Sequence, residues 1–390
     1  MNTQNTPVHI KLWHRDFWLM AIANLLVTMS VYILIPVLPL WMAETEHFSA
    51  METGLSMGVF GIGIFALGGM CSYLVQRYRR NVVCMCAIMA MIACIGMLYY
   101  IESLKLESIE FSIILLQRFA LGASFGLAQM VLSSTLIIDT SESFQRTEAN
   151  HCASWFARFS LSLGPLIGII LYKYVGFNCS IIVSLACAAA SLVLIKSIAF
   201  PFRTPDETVK FISLDRFFLP QGILLFVNLV LITTVVGLLL SLQHSPQFWA
   251  MIMVGFFLAL LSQKFAFQNA ELKSEVITGL ILIGAAILVM LTGTPMAVYV
   301  TPLFVGWGIG LIGSRFLLFF IKLSRHCQRG TSQSTFMLGW EFGLALGLFL
   351  GYAVFTATNA LLFFALGITV ISFLLYNFFT HKWFVTHKNR

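Results

Sequence analysis

The chain alternates long apolar stretches with short polar gaps, and each stretch has the length of a bilayer crossing. About 20 consecutive apolar residues make one membrane-spanning helix. Stretches of that size lie at 17–42, 50–75, 81–101, 109–138, 151–175 and 178–199, then at 218–242, 246–265, 275–293, 296–322, 334–357 and 360–381. Their periodicity is weak, as expected where lipid-facing and bundle-facing sides are both apolar. The first stretch is too long for a cleavable leader and no A-x-A site follows it, so it is expected to remain as a span. The longest polar break, Pro201 to Asp215, carries Arg203, Asp206, Glu207 and Lys210 and divides six stretches from six. The expected fold class is therefore an all-α integral membrane protein with twelve transmembrane helices. Residues 1–199 form one six-helix bundle, 200–217 a cytoplasmic linker, and 218–390 a second six-helix bundle.

Charge sets the orientation. Of the 23 Lys and Arg residues, 20 lie between, beyond or at the ends of the apolar stretches, and 18 of these fall in or beside alternate gaps. The two gaps that break the alternation hold only Lys105 and Lys173. Loops rich in Lys and Arg are retained on the cytoplasmic side, so both termini are expected inside. With 59% hydrophobic and 10% charged residues and a mean hydropathy of +0.91, the chain cannot cover a water-soluble globule. The net charge of +7 sits in short loops, where orientation and anionic headgroups explain it better than nucleic acid does. The eight Cys residues contain no C-x-x-C pair, and Cys84 and Cys86 point to different helix faces, which suits packing rather than a disulfide or a metal.

The two halves resemble each other. Phe144–Gly168 aligns without a gap on Cys327–Gly351, matching Gln145 with Gln328, Arg146 with Arg329, Phe159 with Phe342, Gly164 with Gly347 and Gly168 with Gly351. Two six-span halves related by an axis along the membrane normal are a transporter design, with the substrate site between them near the midplane.

Four charges lie well inside the stretches, away from their ends: Arg118, Arg158, Arg315 and Glu341. Each costs roughly 2.5–3.5 kcal/mol at a helix centre, so each is expected to face the bundle interior or a wet cavity with a partner. At ~1.5 Å per residue, Arg158 and Glu341 each lie roughly 12 Å from the cytoplasmic end of their span. They also occupy the same position in the repeat, which places opposite charges at equivalent points of opposite halves. A buried carboxyl whose distance from an arginine changes with helix movement changes its protonation, so Glu341 is the expected proton carrier. Its partner is Arg158 or Arg315. The plain alternative is a static ion pair that pins helices together.

Glycines shape two further spans. Arg118, Gly122 and Gly126 share one helix face, on which a neighbouring helix can come close. Ser160, Gly164 and Gly168 form a smooth face beside Pro165, which is expected to bend the fifth span and to suit a moving seam between the halves. The first and fourth spans of each half are expected to line the cavity, which makes Asn24, Arg118, Asn228 and Trp307 substrate-contact candidates along with Arg158 and Arg315. Gln117 and Gln129 fall on other faces of the fourth span.

These residues resemble the major facilitator superfamily over essentially the whole chain. Arg118, Gly122 and Gly126 look like its fourth-span motif, whose Arg is associated with proton coupling. Ser160, Gly164, Pro165 and Gly168 look like the fifth-span motif of its antiporters, with Ser160 and Ile169 replacing glycines. The loop from Ser72 to Asn81, with Arg77 and Arg80, looks like the gating signature between spans two and three. There the family has Gly at Ser72's place, Asp at Gln76's and Gly at Arg79's, so the acid of its latch has no counterpart at Gln76.

The leading expectation is a proton-coupled exporter of a small organic compound working by alternating access. The competing one is a proton-coupled symporter that imports a small nutrient, including an anionic one gripped by Arg118 or Arg158. A non-transporting sensor on the same fold ranks last, since the loops are too short for a signalling domain. The chain has no P-loop, metal-ligand cluster or G-x-S-x-G elbow, so it is not expected to be an enzyme. No catalytic residue, metal or cofactor is assigned beyond the proton gradient that drives transport. The expected partners are a small solute, protons and lipid, without nucleic acid. The expected working unit is a monomer, and compactness with short loops points to a bacterial inner membrane.

Overall fold

The computed structural model describes residues 11–104, 109–142, 144–200, 208–242 and 245–389. Lys105, Arg390 and the linker stretch 201–207, with Arg203, Asp206 and Glu207, lie outside them. Twelve helices are long and apolar enough to cross a membrane: α1 (Arg15–Glu44), α2 (Ala50–Arg77), α3 (Arg80–Leu104), α4 (Phe111–Asp139), α5 (Arg146–Tyr174), α6 (Phe177–Lys196), α7 (Pro220–Leu240), α8 (Pro246–Phe265), α9 (Leu272–Leu291), α10 (Ala297–Leu323), α11 (Arg329–Ala353) and α12 (Thr358–His387). No strand occurs among the described residues. The even number puts both described ends at one face of the bundle, called here the terminal face, and the opposite one the far face.

Each expected stretch contains a helix, but several helices outrun their apolar core. α5 begins at Arg146 and α11 at Arg329, one to two turns before the hydropathy rises, because backbone hydrogen bonding continues through Thr147, Glu148 and Asn150 or through Thr331 and Gln333. α1 is broken at Ile33 between segments Arg15–Tyr32 and Leu34–Glu44. Pro36 accounts for this: it has no N–H to donate and its ring crowds the carbonyl four residues back, which is that of Tyr32. In α4 the run Leu132–Leu136 widens to a π-turn, where Ser133 and Thr135 return their hydroxyls to the carbonyls of Gln129 and Val131. α5, by contrast, is continuous through Pro165.

Glycines decide which helices touch. Gly164 and Gly168 of α5 lie against Tyr32, Ile33 and Val37 of α1, and their repeat partners Gly347 and Gly351 of α11 lie against Thr234 and Gly237 of α7 and Ser241 just beyond it. The two halves thus repeat one packing arrangement. This corrects the expected role of Ser160, Gly164, Pro165 and Gly168 as a seam between halves: the glycine face seats α1 of the same half, and Ser160 returns its hydroxyl to Ala157 O within its own helix. A different glycine row forms the seam. Gly54, Gly58 and Gly61 of α2 lie against Ala353, Phe349 and Ala345 of α11. The second crossing between halves is α5 on α8, where Ser162 donates to Trp249 O at 2.6 Å and Phe159 meets Phe256 at 6.2 Å between ring centroids.

Candidate functional site

Glu341 stands at the midpoint of α11 and is 5% exposed. Because α11 starts at Arg329, the carboxyl lies deeper than the sequence suggested, twelve residues or roughly 18 Å from the terminal face. Its partner is neither Arg158 nor Arg315. Tyr32 Oη donates to Glu341 Oε1 at 2.7 Å, and this bond joins the two halves.

Arg315 belongs elsewhere. It pairs with Glu275 of α9, a fully buried acid that also accepts from Gln263 Nε2 at 3.3 Å. This corrects both its assignment to the cavity and its candidacy as partner of Glu341, since α8, α9 and α10 keep it inside the second half. Arg158 reaches across from α5 to α10. Its Nη1 donates to Ser314 Oγ at 2.8 Å and Gly310 O at 3.2 Å, while Nη2 and Nε donate to Ser154 Oγ (2.6 Å) and Ser154 O (3.2 Å). The guanidinium carbon stacks 4.2 Å from the Trp155 ring centroid. Arg118 faces α2 as expected, with Nε donating to Ser56 O at 3.3 Å and its guanidinium 4.9 Å above Phe60. Arg118 Nη1 is buried and donates to nothing among the described residues. Neither Arg118 nor Arg158 is in an ion pair among the described residues.

Two small cavities flank the Tyr32–Glu341 bond, and both residues line each of them. The larger, about 40 Å³, is walled by Asn24, Gln129, Arg158, Gln333 and Trp340 among others. The smaller, about 20 Å³, reaches Arg118, Met57 and Phe60. Nearer the far face a third cavity of about 570 Å³ is lined by Phe48, Tyr172, Lys173, Trp249 and Tyr352. The arrangement is a carboxyl held between halves, with one unpaired guanidinium donor on one side and a guanidinium bound only to neutral acceptors on the other.

The remaining candidates divide. Asn24 lines the larger cavity and donates to Ala153 O at 3.0 Å. Asn228 instead ties α7 to α12 through Ser372 O (3.3 Å), and Trp307 ties α10 to α8 through Ser262 Oγ (3.0 Å). Both are corrected from cavity residues to intra-half contacts: Asn228 is fully buried against α12, and Gly255 and Gly306 bring α8 onto α10 beside Trp307. Gln117 bonds Cys94 O at 2.9 Å, whereas Gln129 lies at the larger cavity and donates to Thr28 Oγ1 at 2.8 Å. Sequence reasoning missed Tyr32, Gln333 and Trp340. The first reads as aromatic filler in an apolar run, and Gln333 falls one residue outside the apolar stretch. For Tyr32 the available signal was its place four residues before Pro36.

At the terminal face the gating candidates also rearrange. Arg80 pairs with Asp139 at 2.6 Å inside the first half, and Arg77 is exposed. The contact between halves comes from the linker. Asp215 Oδ2 accepts from Ser72 Oγ of α2 (2.9 Å), and Asp215 Oδ1 accepts from Thr331 Oγ1 of α11 (3.2 Å). Gln76, where the family pattern has an acid, donates to Ser72 Oγ at 2.7 Å. Asp215 therefore puts a carboxylate beside the start of α11 that the α2–α3 loop does not supply. Burial, and then the nearby Arg80, hold the adjacent Arg216 guanidinium below its ordinary pKa. With Asp215 43% exposed, Asp215→Asn should cost only about 1 kcal/mol of closure at this face, roughly a fivefold shift. The measurement is maleimide labelling of Ser133→Cys in a cysteine-free background, which should speed up from the terminal side.

Comparisons with known proteins agree with this architecture. The family model described as Major Facilitator Superfamily matches residues 20–272. No curated protein sequence matches the chain. Among solved structures, the POT family transporter PepTSo superposes with a TM-score of 0.69 at 11% identity, covering 95% of this chain and 98% of that one. A bacterial homologue of the iron transporter ferroportin in an outward-facing state gives 0.67 at 15% identity, covering 95% and 99%. The nucleoside transporter NupG gives 0.66 at 12% identity, covering 94% and 100%. At these identities the likeness speaks for the fold. The family model, which matches well over half of the chain, establishes that the chain belongs to the major facilitator superfamily and is a secondary transporter.

Proposed function

We propose that this transporter is proton-coupled, that it moves a small organic solute by alternating access, and that Glu341 carries the proton. One observation carries the reading: the Tyr32–Glu341 bond spans the two halves and forms the common wall of both central cavities. An ionised carboxylate accepts the Tyr32 hydroxyl in a charge-assisted bond, and a protonated one accepts it more weakly. Proton binding therefore loosens a tie between halves, which is what a coupling ion must do to shift a two-state equilibrium. The terminal face is taken as cytoplasmic on the distribution of Lys and Arg.

The sign of coupling depends on the solute. Export by exchange needs solute and proton to exclude each other, as a cation does when it needs Glu341 ionised. Uptake needs them to load together. Arg118 and Arg158, without acidic partners among the described residues, outnumber Glu341 at the two cavities, and this net positive setting favours the uptake reading over export. The test is purified protein in proteoliposomes with an imposed pH gradient, a panel of labelled solutes and a proton-sensitive dye. Solute and protons should move together; opposed movement restores export, and solute movement without protons ends the proton reading.

A further inference from the structure

We propose that the central cavity takes a small organic carboxylate that also carries N–H or O–H donors, with Arg158 as its anchor. The inference deepens the transporter reading and rests on it. Arg158 is 3% exposed, lines the cavity, and spends its hydrogen bonds on neutral oxygens alone. A buried guanidinium is normally matched by a carboxylate or phosphate, whose two oxygens fit its planar fork. Here the acid at the equivalent repeat position, Glu341, is held by Tyr32 instead. The matching anion must come from outside the protein.

Two further atoms describe the rest of the ligand. Asn24 Oδ1 and Gln333 Oε1 are buried acceptors with no donor among the described residues, and their residues line the same cavity from opposite halves. Buried acceptors require donors, so the solute must bring them. Phe336 and Trp340 line the same cavity and offer flat apolar walls for a ring.

The anchor is also a tie. The Nη1 bonds to Ser314 and Gly310 join the first half to the second. Two carboxylate oxygens docking on the fork displace those neutral acceptors, so solute binding removes one link between halves as it forms its own. Ser314 thus competes with the solute for Arg158.

The experiment is equilibrium binding to the full chain in lipid nanodiscs without a gradient, read by thermal unfolding. The probes are 4-hydroxybenzoate and 4-aminobenzoate, their neutral amides, phenyl phosphate and the cation tyramine. The two carboxylates should stabilise the protein, and the amides and tyramine should not. Arg158→Gln should weaken carboxylate binding by about 10- to 100-fold, the range of a lost charge-assisted bond. Arg158→Lys, which keeps the charge and loses the fork, should fall between. Ser314→Ala should tighten binding several-fold, whereas a merely structural Ser314 would leave it unchanged or weaker. Equal stabilisation by the amides, a preference for phenyl phosphate or tyramine, no stabilisation by either acid, or binding indifferent to Arg158→Gln in a protein that still melts cooperatively overturns the proposal. No proton flux enters this readout, so its failure leaves the role of Glu341 standing, and failure of gradient-driven transport leaves the anchor standing.

Discussion

Glu341→Gln should abolish gradient-driven accumulation while leaving a folded protein. Each pH unit across the membrane supplies about 1.4 kcal/mol per proton, a tenfold accumulation for one proton per solute. A gradient of two units therefore sustains roughly 100-fold accumulation in the wild-type protein. Gln has the size of the protonated acid and can still accept the Tyr32 hydroxyl through its carbonyl, so the packing around α11 is kept. It has no proton to release, so accumulation should fall to the level set by the solute's own gradient. Solute counterflow, which needs no net proton movement, should persist. Undiminished accumulation at a two-unit gradient would falsify the assignment of the proton to this carboxyl.

The second large effect concerns the fold. A Cβ at Gly122 would run into the carbonyl oxygen of Phe60 and lie 3.1 Å from Gly63 Cα, and one at Gly126 would lie 2.8 Å from Ile64 Cα. These obstacles are backbone, so no side-chain adjustment relieves them and α2 must move off α4. Gly122→Leu should destabilise the protein by about 3 kcal/mol or more, beyond the usual overpacking cost because the two helices meet backbone to backbone. It should also pull Ser56 away from Arg118, one turn before Gly122. Gly96 of α3, with nothing within 4 Å of its Cβ position, supplies the control. Gly96→Leu should melt like the wild type in detergent, and Gly122→Leu should melt far lower or fail to yield monodisperse protein.

Much of the architecture was legible because it follows from one-dimensional patterns. Apolar length counted the helices, and the direction of Arg118 was readable from its register with Gly122 and Gly126. The pairing of charges was not legible. Glu275 sits at the edge of its apolar stretch and reads as an interfacial acid, yet α9 begins at Leu272 and buries it completely against Arg315. Equivalence in the repeat put Arg158 and Glu341 at matching positions, but an axis that relates two residues need not bring them into contact. Each instead bonds across the seam to a different helix of the other half, Arg158 to α10 and Glu341 to α1. The seam itself was missed because Gly54, Gly58 and Gly61 resemble the glycines of any tightly packed helix until the partner α11 is known. Asp215 was invisible for a similar reason: it lies 143 residues from Ser72, in a linker with no apolar pattern.

The central claim is that protonation of one carboxyl at the seam shifts the halves between two arrangements. Spin labels at Phe48 and Ser245, beside the far-face cavity and on opposite halves, can report the separation by pulsed electron resonance in a cysteine-free chain. The account predicts a distance distribution that changes as the carboxyl is protonated at low pH and becomes the same at low and high pH in Glu341→Gln. A pH-dependent shift that survives in Glu341→Gln would contradict it.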